Sequence, residues 1–142
     1  MHINSKLKGD IGEAKAITRL LQLHNPVSKP FGDNERYDLV VESKTGKLLK
    51  IQVKFSSEIS SSNGLIFPLK SSKNHTTNRK ESVYTSQIDY FILYHQITDE
   101  LYVIPIAKTN NQKTITLRID EPKNHQTKNI LYADNFILNK QI

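Results

Sequence analysis

Residues from about Lys8 to Leu23 alternate apolar and polar positions with the period of a helix. On a 100° wheel Ala14, Ala16, Ile17, Leu20 and Leu21 share one side, and Lys15, Thr18, Arg19 and Gln22 share the other. Asn25-Pro26 ends the element. Val27 to Phe31 reads as a short strand and Gly32-Asp33-Asn34 as a turn. The period then changes to two. Tyr37, Leu39 and Val41 face one way while Arg36, Asp38 and Val40 face the other. After Ser43, the residues Leu49, Ile51, Val53 and Phe55 alternate with Lys50, Gln52 and Lys54. A three-residue loop Lys44-Thr45-Gly46, with Gly46 left-handed, joins the two runs as a hairpin.

Farther on, Gly64 to Leu69 is expected to be a strand, and Lys70 to Lys80 a loop. Asp89 to His95 and Leu101 to Ile106 form a second hairpin, turning near Thr98-Asp99. Thr114 to Ile119 is another strand, and the tail from Asn129 a short strand or helix. Tyr84, Tyr90, Phe91 and Tyr94 read as core. No repeat or linker divides the 142 residues, which are expected to form a single domain, with a basic insertion at about 56–82.

Two polar features stand out against this pattern. Glu13 falls within the apolar arc of the helix. A carboxylate there requires a partner or a metal ion, or else it serves as a first-turn residue complementing the helix dipole. In the hairpin, pairing Ser43 with Lys47 makes opposed residues sum to 90, which sets Asp38 across from Gln52 with Lys54 on the same face. Tyr37, Leu39, Ile51 and Val53 then pack on the opposite side. A set of polar residues on one sheet face also describes a solvated face, but Leu39-Val40-Val41 is too apolar for a plainly exposed strand.

Composition narrows the chemistry. The formal net charge is +6, with 16 of the 20 basic residues Lys, which favours a polyanionic partner and equally fits AT-rich coding. There is no Cys, so disulfides and thiolate metal sites are excluded, and the five His residues lack metal-ligand spacing. The absence of a long apolar run argues against a membrane span. Hard cations such as Mg²⁺ prefer oxygen ligands. Asp38, the Gln52 amide oxygen and the Val53 carbonyl can supply them, Glu13 can hold a second metal or a bound water, and Lys54 can orient or deprotonate an attacking water. Lys70, Lys73, His75, Arg79 and Lys80, with Lys29 and Arg36 nearer the site, are candidate DNA contacts.

Asp38 followed after thirteen residues by Gln52-x-Lys54, with Glu13 in a preceding helix, resembles the PD-(D/E)xK nuclease signature. Lys8-Gly9-x-x-Gly12-Glu13, Gly32-Asp33-Asn34-x-Arg36-Tyr37-Asp38, Ile51-Gln52-Val53-Lys54, Asp89-Tyr90-Phe91 and Leu117-Arg118-Ile119 carry a narrower likeness. It is to the PD-(D/E)xK homing endonucleases of group I introns. The resemblance implies an α/β restriction-endonuclease-like core, a mixed central sheet flanked by helices. It also implies a Mg²⁺-dependent endonuclease cutting double-stranded DNA, with Mn²⁺ substituting, and assembly as a homodimer or homotetramer. The expected location is the cytoplasm, with the nucleoid, or an organelle stroma. Gln52 stands where the signature has Glu or Asp, and Tyr37 where it has Pro. A four-way DNA junction resolvase is the rival of similar chemistry, and a catalytically silent DNA-binding module the rival of another class.

Overall fold

In the computed structural model, residues 3–70, 87–120 and 129–142 are described. Helix α1 spans Ser5–Gln22. Asn4 caps its start, its side chain accepting from the Leu7 amide at 2.9 Å. Its end is a Schellman turn: His24 is left-handed at φ 65°, the His24 amide donates to the Leu21 carbonyl and the Asn25 amide to the Leu20 carbonyl. Asn25 is buried and anchors the turn, its amide donating to the Glu42 carbonyl while its oxygen accepts from the Ile142 amide.

A five-stranded mixed sheet runs in the order β1-β2-β3-β6-β7. Its strands are β1 Val27–Ser28, β2 Leu39–Glu42, β3 Leu48–Ser56, β6 Tyr90–His95 and β7 Glu100–Pro105. A second sheet, ordered β4-β5-β8-β9, is built from Glu58–Ile59, Gly64–Pro68, Thr114–Arg118 and Leu131–Tyr132. The strand beginning at Val27 is thus two residues long rather than five. Only β3 and β6 pair in parallel in the first sheet. A parallel pair needs a crossover, and the described part of this one carries β4 and β5.

Each face of the first sheet has its own core. On one side Leu39, Val41, Leu49, Ile51, Val53, Ile92 and Tyr94 pack beneath Ala16 and Leu20 of α1. On the other, Phe91, Leu93, Tyr102 and Ile104 meet Leu65, Phe67, Ile115 and Leu117 of the second sheet. The architecture is therefore an α/β layer with a helix on one face and a sheet on the other. The segment 56–70 belongs to it, because Leu65 and Phe67 are fully buried. Tyr84 lies outside the described residues.

The hairpin takes the expected loop, with Ser43 donating to the Lys47 carbonyl and Gly46 at φ 86°. The register from Leu39↔Ile51 to Glu42↔Leu48 also sums to 90 as expected. Before Leu39 it departs from expectation. The Asp38 amide donates to the carbonyl of Ile51, the residue already opposite Leu39. Two residues then stand against one, as in a β-bulge. The slip turns Tyr37 to the other side of the sheet, where it packs against the second core and lies under the Lys50 ammonium at 5.5 Å.

Gly12 is buried where α1 crosses β3, and a Cβ there would meet Phe55 Cβ and Val53 Cγ1, both at 3.6 Å. That is ordinary contact, so Gly12→Ala is expected to be tolerated and to gain up to about 1 kcal/mol of helix propensity. Gly12→Leu must lift the helix and is expected to cost about 1–3 kcal/mol. Urea unfolding of the two variants measures both, and a Leu variant as stable as the Ala one would refute this packing.

Candidate active site

The site begins with a difference in strand length. β3 runs nine residues, but β2 pairs with it only from Leu48 to Ile51. Beyond Ile51 the strand keeps β6 on one edge, while its other edge has outrun β2. Asp38 fills the first position of that open edge, its carboxylate Oδ2 accepting the Val53 amide at 2.9 Å. Asp38 is therefore bound into the backbone next to Gln52 and Val53 rather than placed directly opposite Gln52.

Gln52, Lys54 and Ser56 alternate with Val53 and face the second sheet. Ser56 Oγ donates to the Ile66 carbonyl, which closes the far end of this face. Lys54 Nζ donates to the Lys70 carbonyl at 2.5 Å. Burial pushes the Lys54 ammonium down to about 8, with Asp38 opposing the fall and Arg36 adding to it. Gln52 is buried at 9% exposure, and its Oε1 has no hydrogen-bond donor among the described residues. Leaving a buried amide oxygen without a donor costs about 1–3 kcal/mol. That is a cost which a cation or its bound water removes.

From the opposite face α1 brings Glu13, the neighbour of Gly12. Its side chain is 22% exposed and ion-paired with Lys29, which follows β1. The wheel placed Glu13 correctly at the sheet side of the helix, but not its partner, because the path of the chain after β1 is not encoded in helical periodicity. The Glu13 carboxylate holds the Lys29 ammonium above the usual lysine range, with Asp38 and Asp10 adding to it. Lys29 thus sits in the field of both site carboxylates, and Arg36 in that of Lys54.

The structure therefore brings together Glu13, Lys29, Arg36, Asp38, Gln52, Val53, Lys54 and the Lys70 backbone. Lys73, His75, Arg79 and Lys80 lie outside the described residues. No cluster of three or more His, Cys, Asp and Glu residues suited to a metal occurs among the described residues. The oxygen set here is of a different composition, combining Asp38, an amide and backbone carbonyls. Asp89, the first residue of the Asp89-Tyr90-Phe91 motif, ties β3 to β6, its carboxylate accepting the Lys50 amide at 2.8 Å and its own amide donating to the Lys50 carbonyl.

A buried lysine with a lowered pKa links stability to pH. Below pH 8 both folded and unfolded states hold the proton, and the full burial penalty applies. Between pH 8 and about 10.5 the unfolded chain holds more protons, so stability should rise with pH. Compared with Lys54→Met, the native protein should gain up to about 3 kcal/mol across that interval. Chemical unfolding at several pH values reads this difference, and a flat difference would mean that Lys54 is not desolvated.

This arrangement of a β-hairpin carboxylate, a Gln-x-Lys strand and a helical Glu places the chain in a known nuclease class. A family model described as PD-(D/E)XK endonuclease matches residues 3–139, and the chain belongs to that family. Among solved structures it is similar to the bacterial homing endonuclease I-Ssp6803I, at 28% identity and a TM-score of 0.73. That alignment covers 95% of this chain and 89% of the other. A search of curated proteins found no match.

Proposed function

We propose that this nuclease is a site-specific, divalent-metal-dependent endonuclease of the homing type, hydrolysing phosphodiester bonds in double-stranded DNA. The observation that carries the reading is the buried Gln52 Oε1, without a donor among the described residues, beside Asp38 and the desolvated Lys54. The similarity to a homing endonuclease supports the substrate and the biological type. Family nucleases typically use divalent ions, and oxygen donors favour Mg²⁺, with Mn²⁺ as a substitute.

Asp38, the Gln52 amide oxygen and the Val53 carbonyl would hold the ion, with Glu13 available for a second ion or a bound water. The bound ion supplies Lewis-acid stabilisation of charge on the phosphoryl oxygens. Lys54, with its proton held near pH 8, orients the attacking water; its neutral form accepts the water's proton and its charged form offsets the developing negative charge. Lys29, Arg36 and Lys70, with Lys73, His75, Arg79 and Lys80 of the following segment, would contact the DNA. One site per chain cuts one strand at a time, so we propose a homodimer or homotetramer for double-strand cleavage. An intron-borne gene and a location with DNA, in the cytoplasm or an organelle stroma, accompany this reading.

Asp38→Ala and Lys54→Ala should lower cleavage by about 10²–10⁴-fold, while affinity for DNA in Ca²⁺ stays within about tenfold. Nicking and gel-shift assays measure the two separately, and full cutting by either variant refutes the assignment. Gln52→Glu should keep activity, whereas Gln52→Leu should need more Mg²⁺ at every rate. A native Mg²⁺ curve for Gln52→Leu would remove Gln52 from the ligand set.

A further inference from the structure

Phe31 is the most exposed large apolar residue among the described ones, at 106% of its reference surface, and the sole aromatic in that group. Burying such a ring is worth roughly 1.5–3 kcal/mol, and the fold places a different set of aromatics, Phe67, Phe91 and Tyr102, in its cores instead. The local sequence holds Phe31 outward. Pro30 before it restricts the backbone, and Gly32 after it turns left-handed at φ 81° with open space around its Cβ position.

Both ends of this loop are fastened to the active site. Two residues before Phe31, Lys29 is ion-paired with Glu13. Seven residues after it, Asp38 accepts the Val53 amide. Chain geometry keeps the Phe31 Cα within about 7 Å of that of Lys29 and within about 25 Å of that of Asp38. Arg36 lies in the same loop, close enough for its charge to act on Lys54. Asp33, Glu35 and Arg36 of the loop are all engaged within the protein. The ring thus projects to solvent from a loop whose Lys29 pairs with Glu13 and whose far end carries Asp38.

We propose that Phe31 is a base-stacking wedge that inserts at a base step close to the scissile phosphate. This inference rests on the DNA-endonuclease reading and adds a contact to bases rather than phosphates. Apolar side chains inserted between base steps partly unstack and kink the duplex. A π-face serves every base, so the contact selects by deformability: pyrimidine–purine steps, which kink most readily, are favoured next to the cut.

The chain contains no Trp, so Phe31→Trp installs a single indole reporter at the loop apex. With a mixed-sequence duplex oligonucleotide in Ca²⁺, its emission should be quenched in step with complex formation on a gel. Phe31→Ala should weaken duplex affinity about five- to hundredfold with unchanged folding, because the ring is fully exposed among the described residues. An indole whose emission stays constant at saturating duplex overturns the wedge, as does native affinity and cutting by Phe31→Ala. Emission that depends on protein concentration without DNA also overturns it, by assigning the ring to contact with a second copy. A native protein that neither binds nor cuts duplex overturns the functional reading itself, and the wedge with it.

Discussion

The site depends on the hydrogen bond from the Val53 amide to the Asp38 carboxylate, formed where β3 continues past the end of β2. A strand edge without a partner leaves backbone amides needing acceptors. Here a side chain takes the place of the missing strand, and the acid that does so is fixed beside Gln52 and Lys54 without relying on a flexible loop. The bulge at Ile51 makes this possible. It ends the regular ladder one residue early and frees the Asp38 side chain to reach along β3.

The two cores then give each residue of β3 its environment. Helix α1 covers Leu49, Ile51 and Val53, and Gly12 lets it approach closely enough for Glu13 to reach the same end of the strand. The second sheet faces Gln52, Lys54 and Ser56, and removes the first two from bulk water. Desolvation costs stability in both cases: an amide oxygen has no donor among the described residues, and the Lys54 ammonium is pushed down to about 8. Strain of this kind concentrates at functional sites and is offset by packing elsewhere. Here the offset comes from the buried apolar residues of β6, which touch both cores.

Much of this was legible in the sequence because it is local. Loop length and Gly46 determine the hairpin register from Leu39 to Glu42, which leaves Asp38 close to Gln52 and Lys54, while the bulge sets its bond to Val53. Helical periodicity places Glu13 toward the sheet. What was not legible depends on distant packing. Tyr37 reverses its face because the Asp38 amide donates to the Ile51 carbonyl, a bulge that alternation does not reveal. The second sheet pairs β5 with β8 across about fifty residues, and β4 and β9 are two residues each, too short to show a period. Lys54's desolvation follows from Lys70 and the second sheet closing over it, and so could not be read from the Gln-x-Lys spacing.

The central claim is that Asp38 and the orphaned Gln52 oxygen together form a cation site at the open end of β3. Anomalous diffraction from crystals of the protein soaked in Mn²⁺ tests it most directly. The account predicts an anomalous peak within about 2–2.5 Å of an Asp38 carboxylate oxygen and of Gln52 Oε1, absent in crystals of Gln52→Leu treated alike. A peak held by Glu13 and Asp38 with Gln52 turned away, or one persisting unchanged in Gln52→Leu, would contradict it.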